Sequence, residues 1–180
     1  MNASDERTSI TSPLGSERHD PNHAPRPKEV EIYFWEPTGW GESSMGHVSS
    51  RIGNRMYSWG PGGMTVEPVD KYMRRNAFRS AVGRKMNFTP DESRMFEEYL
   101  NVYAKGHAYG VVDANCGDPA EKALELMGYP MFLDPFPADL RQDIDQLKLA
   151  EPGGRTSYPA DPRRRKTGML ARAPWTELFK

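Results

Sequence analysis

Cys116 is the single cysteine of the chain, and it stands two residues before Asp118, Pro119, Ala120 and Glu121. That quartet reads as a helix start, with an acidic N-cap at Asp118, proline at the first helical position and glutamate at the third. The helix should run from about Pro119 to Met127 and stop at Gly128. A thiol just upstream of a helix N-terminus meets unpaired backbone N–H groups and the positive end of the helix dipole, which favour thiolate over thiol. A lone cysteine is equally a small core hydrophobe. A base within reach separates the two readings, and histidine is the usual one.

Of the four histidines, His19 and His23 lie in a polar N-terminal segment, with Pro21 between them against a metal-binding helix. His107 follows a helix end at Gly106, where interaction with the last carbonyls accounts for it as well as a pairing with Cys116 does. His47 opens HVSSRI, which faces RMYSW across Gly53-Asn54, a dipeptide suited to a tight hairpin turn. If that turn holds, Val48, Ile52, Tyr57 and Trp59 share one face, and His47, Ser49, Met56 and Ser58 the other. His47 and Ser58 are then diagonal neighbours. The arrangement offers a nucleophile (Cys116), a base (His47), a group to orient it (Ser58) and backbone donors around Cys116 for an oxyanion.

The elements that must position these groups follow from pattern. Val30–Trp35 is β-branched and aromatic, hence a strand. The loop after it carries Trp40, either folded onto the core edge or forming a wall of a substrate cleft. Trp40, Trp59 and Asn115 are the candidate substrate-binding residues. Thr89, Pro90, Asp91 and Glu92 form a second helix start, opening a core-packing helix that carries Met95, Phe96, Tyr99, Leu100 and Tyr103 until Gly106. GPGGM reads as a loop, and Val66 to Arg84 is hard to read, with KYMRRNAFR suggesting a solvated face with Tyr72 and Phe78 turned inward or a contact surface for an anionic partner. Arg84–Phe88 suits a short strand. Asp113, in the turn before the cysteine, is an alternative orienting group. A short amphipathic helix fits within Ala138–Leu149.

Composition sets the frame. Lys and Arg number 24 against 25 Asp and Glu, so there is no global basic field of the nucleic-acid-binding kind. One cysteine excludes an internal disulfide framework and a cysteine-rich zinc site, and the reading calls for no metal or cofactor. With 16 Gly, 16 Pro and 11% aromatic residues, the chain reads as a loop-rich mixture of helix and strand. The expected organisation is a disordered segment over residues 1–28, one domain over 29–149 and an extended tail over 150–180, whose Arg163–Lys166 run is solvated and whose Trp175, Leu178 and Phe179 suit docking. No signal-like start or spanning apolar run is present, so synthesis in the cytoplasm without stable membrane insertion is expected.

The order of motifs resembles the circularly permuted branch of the papain-like NlpC/P60 superfamily: Gly46-His47 with YSWGP at Tyr57–Pro61, then Thr89 to Glu92, then Tyr109 to Cys116 with its Asn115-Cys116 pair. It is similar in particular to hydrolase-type toxin domains of bacterial polymorphic and Rhs-type secreted proteins. The resemblance implies an α+β permuted papain-like fold, an antiparallel sheet packed against helices, with Cys116 and His47 in the catalytic roles. The family commonly has His, Asn, Gln or Asp at the third position, where this chain has Ser58, and places its cysteine in the first turn of the helix, so Asp118 could lie inside it. The implied reaction is cleavage of an amide in a peptide, a peptidoglycan stem peptide or a protein glutamine through a thioester. A secreted effector exported by a specialised secretion system, with an immunity protein as partner, follows by the same likeness. A lecithin retinol acyltransferase-like lipid acyltransferase and a non-catalytic interaction module on the same scaffold are the alternatives.

Overall fold

The computed structural model describes residues 28–38, 45–110, 114–132 and 136–164. Six strands and four helices follow in the order β1 (Val30–Trp35), β2 (His47–Ile52), β3 (Arg55–Gly60), β4 (Gly63–Pro68), α1 (Val69–Asn76), β5 (Ala81–Met86), α2 (Pro90–Gly106), α3 (Asp118–Leu126), α4 (Pro137–Gln146) and β6 (Ala150–Tyr158). The strands form one antiparallel sheet in the order β4-β3-β2-β1-β5-β6. This is an α+β architecture, the coarse class the resemblance implies and the mixture of helix and strand that composition suggests.

Local chemistry explains the elements that were legible. Gly53 takes a φ of 59° at the β2–β3 turn and sets Ile52 opposite Arg55 and Ser50 opposite Tyr57. At the start of α2, Thr89 Oγ1 accepts the Glu92 N–H (3.2 Å) and Glu92 Oε2 accepts the Thr89 N–H (2.7 Å), a reciprocal capping box. Phe96, Leu100 and Tyr103 of that helix are buried, while Met95 is turned to solvent.

Four expectations are corrected. GPGGM is not all loop: β4 starts at Gly63 and hairpins back onto β3. The segment Val66 to Arg84 holds the end of β4, all of α1 and the start of β5, and the strand expected at Arg84–Phe88 is instead Ala81–Met86. The tail assigned from residue 150 begins with β6, which pairs with β5 and completes the sheet. AEPGGRTSY lacks the apolar alternation of a strand because β6 is an edge with most of its residues open to solvent, where proline and glycine are tolerated. Finally, α3 starts at Asp118 rather than Pro119, for a reason given below. Most of residues 1–28, and residues 165–180, lie outside the described residues.

β1 sits in mid-sheet and is buried at every position. Its Val30, Ile32 and Phe34 join Val48, Ile52 and Tyr57 in the larger core, with Phe96 and Leu100 of α2, Leu124 of α3, and Leu140 and Ile144 of α4. The opposite face is smaller and more polar: Tyr33, Trp35, Met56 and Ala81 pack against Tyr72 of α1. Glu31 also lies on this second face, fully buried, where it accepts hydrogen bonds from Tyr33 (2.7 Å), Tyr158 (3.3 Å) and Thr156, with Arg51 at 3.6 Å. Gly83 faces the cluster from β5, and a Cβ there would collide with the Glu31 carboxyl and Thr156. Gly83→Ala should therefore cost about 2 kcal/mol or more, read as a lower midpoint in urea unfolding.

A second buried carboxyl, Glu121 of α3, has an Oε2 with no hydrogen-bond partner among the described residues. Burial raises its pKa to about 7 from an ordinary 4.5, against the pull of Lys122. The folded state thus binds this proton more tightly than the unfolded chain. That contribution is fully present below pH 4.5 and is lost as pH rises through 7. Glu121→Gln should stabilise the protein by on the order of 2 kcal/mol at pH 8 and hardly at all at pH 4, measured by thermal melts at the two pH values.

Candidate functional site

Cys116 is presented by a short, tightly held turn. Asn115 Oδ1 accepts the Gly117 N–H (2.8 Å), and the Asn115 carbonyl accepts the Asp118 N–H (3.2 Å). From the sheet, Trp59 Nε1–H donates to the Ala114 carbonyl (3.0 Å), while Gly110 and Ala114 form an isolated bridge. The Tyr103 hydroxyl, on α2, donates to the Asp118 carboxylate. That bond explains the shifted helix start: Asp118 is engaged by Tyr103, makes no side-chain cap, and stands as the first residue of α3, with Gly117 as N-cap. Residues 111–113, and with them Asp113 as an orienting group, lie outside the described residues.

The thiol is buried against the larger core, in a crevice lined by Val48, Tyr57, Trp59, Met64, Leu100 and Pro119. Val48 lies against the sulfur, with its N–H placed to favour the anion. Burial pushes the thiol pKa up; the Val48 N–H, the backbone of Cys116 itself and the charge of Arg79 pull the other way without overcoming it.

His47 is the residue before Val48, and alternation sends its side chain to the opposite face of the sheet. It pairs across the ladder with Trp35 of the second core, and its Nε2 is hydrogen-bonded to Ser58 Oγ at 2.8 Å. The Tyr72 hydroxyl donates to that same Oγ (3.1 Å), and burial keeps Tyr72 protonated by raising its pKa. Ser49, on the same face, accepts Trp35 Nε1–H at its Oγ at 2.8 Å. Hydrogen bonds thus run from Tyr72 through Ser58 to His47, with the Trp35–Ser49 pair beside them. Burial, then Arg79 and Arg75, lower the His47 pKa to about 3, so the imidazole is neutral at any ordinary pH.

The structure thus brings His47 and Ser58 together, and it brings Cys116 to the backbone of the neighbouring residue. It does not join the two side chains: among the described residues no hydrogen bond links Cys116 to His47, and they sit on either side of β2 at its first two positions. The resting pair is a neutral thiol and a neutral imidazole. His107 caps α2 instead, its Nδ1 at 3.0 Å from the Tyr103 carbonyl and its ring stacked on Tyr103. Trp40 lies outside the described residues. Trp59 lines the thiol crevice, and Asn115 is buried with its Nδ2 unpartnered among the described residues.

Sequence reasoning missed Tyr72, Ser49 and Arg79 as parts of this site. All three were in view, Ser49 on the His47 face of the hairpin and the others within KYMRRNAFR, but nothing in that string marks it as the helix and turn that cover this face. Arg79 stacks over Trp35 (5.2 Å to the ring centroid), and its NH2 donates to Asn76 Oδ1 (3.1 Å).

Among the described residues no group of three or more His, Cys, Asp or Glu side chains could hold a metal, and no helix is long and apolar enough to cross a membrane. No family model matches the chain, and the searches of curated proteins and of solved structures returned no significant match.

Proposed function

We propose that the protein is a cysteine hydrolase on a permuted papain-like scaffold, with Cys116 as nucleophile and His47 as base. The observation that carries this reading is the placing of two separately built parts on either side of the start of β2: a thiol packed against Val48, and an imidazole held at Nε2 by Ser58. Ser58 Oγ has two lone pairs and can accept both His47 Nε2–H and the Tyr72 hydroxyl, which leaves Nδ1 free as the base. For that nitrogen to reach the sulfur the imidazole must swing past Gly46 at the start of β2.

The reaction would begin as the proton passes from sulfur to Nδ1 and the sulfur–carbon bond forms, with the carbonyl pair moving to oxygen. The carbon–nitrogen bond then breaks, His47 returns its proton to the leaving amine, and water hydrolyses the thioester. A peptide, peptidoglycan stem peptide or glutamine amide fits this chemistry, and a bacterial secreted effector fits the motif order. A second reading, a binding module with an idle thiol, is favoured by the burial of Cys116 and by its lack of a hydrogen bond to His47.

Alkylation by iodoacetamide at neutral pH separates the two readings. On the catalytic one Cys116 is labelled in the folded protein and His47→Ala slows labelling; a thiol that reacts only after unfolding rejects it. Mass spectrometry of candidate amides then reads turnover, with Cys116→Ala and His47→Ala each losing at least about 100-fold and Ser58→Ala or Tyr72→Phe roughly tenfold. Because His47 stays neutral down to about pH 3 and the thiol is raised, the labelling rate should climb steadily from pH 5 into the alkaline range. An inflection near the ordinary imidazole pKa would instead mean a resting thiolate–imidazolium pair.

A further inference from the structure

The pairing of β5 with β6 is interrupted in a way that builds a cavity. Arg84 stands opposite Arg155, and the next pair along is Met86 with Ala150, so that Glu151, Pro152, Gly153 and Gly154 together face the single Lys85. These residues form a bulge. Their sequence suits it: Gly153 takes a φ of 74°, and a Cβ on Gly154 would stand 2.9 Å from the Glu151 carbonyl oxygen. Between the bulge, Arg84 and the C-terminal end of α4 lies a space of about 480 Å³, within the range of small-molecule sites. Its wall carries Arg84, Asn87, Asp145, Lys148, Glu151 and Arg155.

Two arginines directly opposite each other on a ladder repel. Asp145 of α4 answers one of them: Arg84 Nε and Nη2 donate to its two oxygens at 2.7 and 2.8 Å. Arg84 is only 8% exposed, and its third nitrogen, Nη1, is buried with no hydrogen-bond partner among the described residues. Arg155 and Lys148 make no ion pair among the described residues, the charge of Arg155 reaching Asp145 at longer range. With Arg84 and Asp145 closed on each other, the wall sets Lys148 and Arg155 against Glu151, an excess of positive charge. Lys148 is also held in strain. It follows the end of α4, where its N–H returns to the Asp145 carbonyl (3.3 Å) and the Leu149 N–H to the Ile144 carbonyl (3.1 Å), and its φ is 53°. Glycine is the usual residue at that position, and strain of this kind gathers where a side chain serves a ligand.

We infer that this cavity binds the oxyanion of a small polar molecule, a phosphate or carboxylate group, through Arg84, Lys148 and Arg155. An anion there relieves the repulsion of the opposed arginines, and the donor edge of Arg84 that Asp145 leaves over matches paired oxygens. Ile144 and Ala150 give the rest of such a molecule an apolar surface. The inference needs no role for Cys116.

The test is a titration of the full chain with sodium phosphate and, separately, with sodium acetate, at constant ionic strength against sodium chloride, followed by NMR of the backbone amides. The expected result is a saturable shift of the amides from Lys148 to Arg155 beyond that seen with chloride; which of the two salts gives it identifies the group the site takes. Arg155→Gln and Lys148→Gly should each weaken the binding about fivefold or more, and the double variant should abolish it. Lys148→Gly should at the same time melt higher than the wild type, since it relieves the left-handed lysine, so that stability and affinity move in opposite directions. Both side chains are exposed and unpaired among the described residues, so the variants keep the fold. No saturable shift with either salt, or an affinity unchanged in the folded double variant, overturns the inference.

Discussion

Side-chain alternation at the start of β2 places adjoining residues on opposite faces of the sheet, so His47 and Val48 belong to different surroundings while sharing a peptide bond. Val48 faces the larger apolar core with Cys116; His47 faces α1 with Ser58, Tyr72 and the arginines. Everything proposed for the site follows from this division. The thiol can be buried among apolar side chains because it is small and neutral, and the imidazole can sit half-buried among polar ones because Ser58 partners it. The imidazole and the residue that packs on the thiol are neighbours along the backbone, yet no hydrogen bond among the described residues joins the two reactive side chains.

The two faces also differ in how they are stabilised. The face under α2, α3 and α4 is a conventional apolar core, with Ile32, Phe96, Leu124 and Ile144 wholly out of water. The face under α1 carries Glu31, His47, Ser49, Arg51 and Ser58 among its aromatic rings, and its specificity comes from hydrogen-bond geometry. Such a face tolerates little change in shape, since removing one member strands another in a region where water cannot replace it.

What was legible in the sequence was local. The capping box at Thr89 and Glu92, the Gly53 turn and the period of β1 each depend on residues a few positions apart, and the juxtaposition of His47 and Ser58 follows from the turn alone. What was illegible depended on distant partners. Asp118 has the chemistry of an N-cap, and only Tyr103 on another helix diverts it. β6 reads as a tail because its pairing with β5 and its hydrogen bonds to Glu31, not its own pattern, make it a strand. α1 and Arg79 were obscured because a helix lying on a polar sheet face has no clean apolar stripe: Tyr72 and Asn76 are its buried residues.

The carboxyl of Glu31 has a consequence for how the chain comes to be folded. Thr156, one of its partners, lies 125 residues further along, so the middle of the sheet is finished by β6, the last strand among the described residues. A chain leaving the ribosome would hold β1, β2 and β3 ready to pair, with an acidic group among them that stays wet until β6 arrives. Such long-range closure raises contact order and slows the final step, which places the completion of the His47 side of the sheet late in folding, after the segment bearing Cys116 has been synthesised.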